Sequence, residues 1–146
     1  PINFETTEKN RQELNRLSGR NVIWPPLIFV IRDGTLYCWA LPNNHRPTPR
    51  TPLYIAPLTH INEAQGNVCL PSELSLRSGN SPFENMAMIS RDFYNGVFGH
   101  GTGSMKQINH PGGHDGFWLE YLQQKKQTRF PVELLKATGK KLEDIL

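Results

Sequence analysis

LIFVIRDGTLYCWAL, Leu27 to Leu41, reads as two strands and the turn that joins them. Both halves are rich in β-branched and aromatic residues, the types that fit a pleated, half-buried surface. Between them Asp33-Gly34 supplies the residue pair that accepts positive φ at both central positions of a tight hairpin turn. Strands are therefore expected over Leu27–Ile31 and Thr35–Leu41. Side chains alternate along a strand, so Leu36, Cys38 and Ala40 fall on one face and Tyr37, Trp39 and Leu41 on the other. Cys38 is expected to be buried as a small apolar residue.

Upstream, Thr6 to Leu17 reads as a helix. Thr6 or Thr7 can cap it, Glu8 lies in its first turn, Leu14 and Leu17 share a face, and Gly19 ends it. Downstream, Pro42, Pro47, Pro49, Pro52 and Pro57 make a rigid connection inside the domain, each ring fixing φ. Leu53–Leu58 reads as a third strand that Pro57 ends. Gly66 permits a turn, Asn67–Leu70 resumes in extended form, and Pro71 stops it. Ser72–Ser81 reads as a polar loop. Glu84–Phe93 has Met86, Ile89 and Phe93 spaced for one helical face. His100 to Gly116 is glycine-rich and reads as a long loop. Phe117–Lys126 has helical spacing, with Lys125-Lys126 suited to a helix C-terminus. Pro131 suits the first position of another helix, with Leu134 and Leu135 as its apolar face and Gly139 as its end. Lys140–Leu146 reads as a final turn or two. Strands that follow one another without intervening helices indicate an α+β fold: an antiparallel meander sheet flanked by an N-terminal helix and C-terminal helices, in one domain over residues 1–146.

Composition narrows the function. The chain has 146 residues, 37% hydrophobic and 20% charged, the balance of a soluble globular domain rather than a disordered chain. A net charge of +3 gives no reason to expect a nucleic-acid partner. The basic stretches Lys125-Lys126, Arg129 and Lys140-Lys141 read as a solvated helix face. No apolar run approaches the ~20 residues of a membrane span, and the polar start PINFETTEKN carries no signal-peptide pattern. The chain has no initiator Met, so residues upstream of Pro1 are expected. Two cysteines do not make a disulfide framework, and a reducing cytoplasm with both thiols free is expected. His110 and His114 lie four apart, a zinc spacing only on a helix, and Pro111-Gly112-Gly113 argues against one. Neither metal nor cofactor is expected. Without a phosphate-cradling glycine loop, the chain is not expected to activate a substrate with ATP.

The second cysteine sits differently. In HINEAQGNVCL, His60 to Leu70, Cys69 follows directly on a polar turn, where a sulfur can face solvent. An ordinary thiol, with a pKa of about 8.5, is a few per cent thiolate near neutral pH, enough to attack an already activated carbonyl. When an amine then attacks the thioester, the oxyanion needs a donor, which the amide of Asn62 can supply. His60 reads as a group bonding the turn backbone, with a catalytic role as the alternative. His100 can orient a nucleophile or deprotonate the amine.

The longer stretch from Arg46 to Leu70, RPTPRTPLYIAPLTHINEAQGNVCL, resembles the active-site region of ubiquitin-conjugating enzymes. Pro47, Pro49 and Pro52 stand for their proline-rich turn, and Leu53–Leu58 for the strand after it. His60 and Asn62 match the outer members of their His-Pro-Asn turn, and Gly66-x-Val68-Cys69-Leu70 matches the cysteine segment. Ile61 replaces the middle proline, the spacing from Asn62 to Cys69 is one residue shorter than the eukaryotic pattern, and Pro71 follows where a helical turn is common. A narrower resemblance is to a bacterial subgroup, the PRTRC system protein B family, through Arg46-Pro47, Thr51–Pro57, Gly66–Cys69 and Phe98-Gly99-His100. The resemblance implies a carrier. A ThiF-like adenylating enzyme would load a ubiquitin-like protein onto Cys69 as a thioester, for transfer to an amine of a target protein. Two other readings stay open: a noncatalytic scaffold of the same fold, and a cysteine hydrolase using Cys69 and His100.

Overall fold

The computed structural model describes residues 1–69, 81–99 and 105–146. The hairpin forms as the sequence indicates. Strands β1 (Leu27–Arg32) and β2 (Thr35–Ala40) pair antiparallel from Leu27 opposite Ala40 to Arg32 opposite Thr35. The turn residues Asp33 and Gly34 have φ of 50° and 73°, the doubly left-handed turn whose twist matches the strands. β3 (Pro52–Ile55) pairs with β2 through Trp39 and Ala40, and β4 (Ala137–Lys141) closes the order β1-β2-β3-β4, all antiparallel. The fold is α+β, an antiparallel meander sheet with flanking helices.

The sheet is covered on both faces. Cys38 and Ala40 belong to the main core with Leu14, Phe93, Phe117 and Trp118. Trp39, Leu41 and Leu53, facing the other way, form a smaller cluster with Leu142 and Ile145. The helices are α1 (Gln12–Arg16), α2 (Pro82–Tyr94) and α3 (Gly113–Gln123). Ser81 and Glu84 build a reciprocal capping box at the start of α2, and Pro82 sits where its missing N–H is not needed.

Several sequence expectations change. The helix expected over Thr6–Leu17 is reduced to a 3-10 turn, Lys9–Arg11, and the short α1. The Asn15 amide holds Thr6 by both its N–H and its carbonyl, at 2.9 Å each, which docks the preceding segment in extended form. α3 starts earlier than expected, at Gly113, and ends at Gln123, so Lys125 and Lys126 lie beyond it. The helix expected from Pro131 to Gly139 is not one. Val132–Leu134 is a single 3-10 turn, and Ala137–Lys141 is β4. Gly139, at φ 77°, sits where one residue of β3, Leu53, lies opposite three of β4, a bulge rather than a helix end. Both features require positive φ, so the same glycine signals either. Lys140 and Lys141 therefore lie on an edge strand, not a helix face. β3 is also shorter than expected, ending at Ile55.

Candidate active site

The chain reaches the cysteine from β3. The buried indole N–H of Trp118 in α3 donates to the Pro57 carbonyl at 2.7 Å, and the Leu58 N–H bonds back to Ala56. This fixes the point from which residues 60–69 depart. They form a small hairpin of their own. Asn62 N–H donates to Asn67 O at 2.9 Å, Ile61 bridges Val68, and Cys69 N–H donates to His60 O at 2.6 Å. The Asn62 side-chain oxygen accepts from the N–H groups of Ala64 and Gln65 at 2.9 and 3.0 Å, and Gly66 N–H returns to Asn62 O at 2.8 Å. This is the turn-building use of asparagine. It occupies the acceptor end of the amide. Among the described residues the Nδ2 end makes no hydrogen bond, so the donor that an oxyanion would need is not spent on the turn.

The second limb lies against β2. Cys38 N–H donates to Gly66 O at 2.9 Å, Val68 N–H donates to Leu36 O at 2.8 Å, and Asn67 bridges Tyr37. The limb and β3 thus share one edge of β2, β3 at Trp39 and Ala40 and the limb at Leu36–Cys38. Gly66 is required here. Its φ is 75°, and a Cβ would lie 2.4 Å from Cε2 of the Trp39 indole. Cys69 falls one residue past the last bridge and is exposed, whereas Cys38 is fully buried; both are free thiols. Burial pushes the Cys38 thiol far above the ordinary cysteine range, so it stays protonated and inert.

The other residues named from the sequence fall as follows. His60 is half-buried at φ 68°, a left-handed conformation uncommon outside glycine, which aims its carbonyl at Cys69 N–H. Its ring lies 6.3 Å from that of Phe98. His100 lies outside the described residues, as do Leu70 and Pro71. His110 and His114 do not converge. His110 Nε2 is 3.0 Å from Glu120, and His114 Nδ1 is 2.7 Å from Asp115. Among the described residues no group of His, Cys, Asp and Glu could hold a metal ion, and no helix is long and apolar enough to cross a membrane.

The sequence reading missed a buried ionic array beside this site. Arg11, 4% exposed, forks onto Asp115 through Nε at 2.6 Å and Nη2 at 3.2 Å, and its Nη1 donates to Gly99 O at 2.8 Å. Burial favours the neutral carboxyl of Asp115, but the hydrogen bonds from His114 and Arg11 and the guanidinium charge of Arg11 outweigh it and hold the group below the usual range. Burial lowers the His114 value, opposed by Asp115 and by the more distant charge of Glu63 on the cysteine turn. His114 is thus neutral, its Nδ1–H donating to the carboxylate. Arg11 lies three residues before Leu14, a spacing that puts it on the inward face but does not name its partner.

The sequence matches the family model of prokaryotic E2 family D over residues 2–138. The chain belongs to this family. Membership of this ubiquitin-conjugating-like family points to a transferase-type role and implies an activating enzyme and a ubiquitin-like protein as partners. No curated protein matches the chain, and no solved structure does. The narrower PRTRC likeness rests on the quoted motifs alone.

Proposed function

We propose that this family D protein carries a ubiquitin-like protein on Cys69. The thiolate attacks the activated C-terminal carbonyl presented by a ThiF-like adenylating partner, forms a thioester and displaces the partner's leaving group. An amine of the target then attacks the same carbonyl. The C–S bond breaks, the thiolate leaves, and the amine proton passes to solvent. The observation that carries this reading is the placement of Cys69. It lies at the open end of a limb pinned to β2, with its backbone fixed by His60 and its sulfur exposed. The amide donor of Asn62, on the opposite limb of the same small hairpin, is the candidate for stabilising the oxyanion of the second step.

A hydrolase would hold a base at the thiol. In that reading the base would be His100, which lies outside the described residues. The test incubates the protein with a ThiF-like adenylating enzyme, a ubiquitin-like protein and ATP, and reads non-reducing mass spectra. A thiol-sensitive adduct on Cys69, absent in Cys69→Ser, is the expected result. An unmodified protein, or an adduct that survives Cys69→Ser unchanged, would sink the carrier reading.

A further inference from the structure

We propose that Trp39 is a positioning residue for Cys69, and that the C-terminal turn acts through it to set the cysteine-bearing limb; the catalytic half of this proposal rests on the carrier reading above. The indole edge is pressed against Gly66, three residues before the cysteine, so closely that a Cβ there would lie 2.4–2.6 Å from three of its atoms. Trp39 is the wall against which the limb is laid. What keeps that wall in place is on the outer face of the sheet. The ring of Tyr37 stacks on Trp39 at 5.6 Å with an interplanar angle of 3°, and the Arg32 guanidinium lies 5.1 Å over Tyr37. Arg32 also reaches the Ile145 carbonyl, 3.5 Å from Nη1.

The C-terminal turn closes this column. Its 3-10 turn, Leu142–Asp144, is fastened by Leu142 N–H to Thr51 O and Glu143 N–H to Pro49 O, both at 2.9 Å. Leu142 and Ile145, each 7% exposed, are buried in the same cluster as Trp39. Interiors are close-packed, so removing apolar volume on one side of an indole lets the ring shift towards the space created. The limb then loses its wall although no residue of the limb has changed. A misplacement of ~1 Å far from the chemistry can cost ~10²-fold in rate, so a small movement is enough to matter.

The test uses the full chain and three variants outside the cysteine turn: Leu142→Ala with Ile145→Ala, the milder Arg32→Met, and the conservative Trp39→Phe. Hydrogen exchange is read at the Val68 and Cys69 amides, which bond Leu36 and His60, with the α3 amides as internal reference. Val68 and Cys69 are expected to exchange at least about tenfold faster in the double variant, with α3 within about twofold. Arg32→Met is expected to shift the same two amides less, whereas Trp39→Phe, which removes the indole edge lying against Gly66, should shift them at least as much as the double variant. Single-turnover discharge of preloaded protein to lysine is expected to fall about tenfold in the double variant. Iodoacetamide alkylation of Cys69, which needs no turn geometry, should stay within about twofold. Unchanged protection at Val68 and Cys69, or a loss no larger than that of α3, overturns the proposal. If the parent protein carries no thioester, the carrier reading fails, and the exchange measurement still decides whether the C-terminal turn sets the limb.

Discussion

Cys38 and Cys69 lie on neighbouring strands of chain, for the N–H of Cys38 donates to Gly66, three residues before Cys69. Yet one sulfur is sealed and the other is open. Cys38 stands mid-strand on the face of β2 that meets the helices, where alternation gives it no route to solvent. Cys69 lies one residue past the last bridge of a limb whose pairing ends there. Exposure is thus decided by where each residue falls relative to the end of its hydrogen-bonded ladder. The residue type is the same.

The largest expected effect tests this contrast directly. Iodoacetamide should alkylate Cys69 in the folded protein, while Cys38 reacts only through opening of the core. With unfolded fractions of order 10⁻³–10⁻⁶, the rates should differ by at least ~10³. Peptide mass spectrometry after partial labelling reads the ratio, and comparable labelling of the two would break the comparison. Next comes Asn62→Ala. If its Nδ2 end serves the oxyanion, discharge of a preloaded thioester should slow by roughly 10²–10³ while loading persists. Equal loss of both steps would mean that the acceptor end, holding Ala64 and Gln65, is the part that matters.

Gly66→Ala follows in size. The left-handed backbone alone costs about 1–2 kcal/mol for a residue with a Cβ, and the new methyl meets the Trp39 indole. Denaturant unfolding should show a loss above that range, whereas Gly34→Ala, with no atom within 4 Å of a Cβ, should show the backbone cost alone. Smaller again is serine replacement. Cys38→Ser buries a hydroxyl in an apolar environment and should cost about 1–3 kcal/mol. Cys69→Ser at the surface should stay within about 0.5 kcal/mol. A reversal of these two would mean that burial has been assigned to the wrong sulfur.

What the sequence made legible follows the same division. The closed hairpin could be read residue by residue, because Asp33-Gly34 and the period-two pattern are local signals. The capping box of α2 is local as well, although the reading placed that helix start at Glu84 rather than Pro82. The end of the chain was misread because its decisive partner is remote. β4 exists by pairing with β3, and nothing between Pro131 and Lys141 announces that partner. The cysteine turn was legible as a motif, and its geometry only in part. That Asn62 would use its oxygen locally follows from its place in a turn. That Trp39 would wall Gly66, or that Arg11 would pair with Asp115 a hundred and four residues away, depends on tertiary contacts that no spacing reveals.

The smallest expected effect comes from His114, where a charge of the open turn, on Glu63, reaches into the closed core. The groups acting on His114 are Asp115 beside it, Arg11 from the N-terminal segment and Glu63 from the cysteine turn. Its folded value lies below the ordinary 6.5, chiefly through burial. In the unfolded chain the imidazole takes up a proton as pH falls through that ordinary value, while the folded protein resists. Stability contributed by the neutral ring is therefore present above the unfolded value and is lost on acidification below it. Asp115, also lowered, adds a loss of the same sign in a separate window below its ordinary 3.8. Melting temperature should fall from about pH 7.5 to about pH 5.5, with His114 contributing no more than ~1.4 kcal/mol per pH unit, the limit for one proton. His114→Gln should flatten that slope. Glu63→Gln removes an influence that raises the imidazole value, so the folded and unfolded values separate further and the loss should extend to lower pH. A slope unchanged in His114→Gln would place the titrating group elsewhere. A slope abolished in His114→Gln but untouched in Glu63→Gln would show that the open turn and the closed core are electrostatically independent.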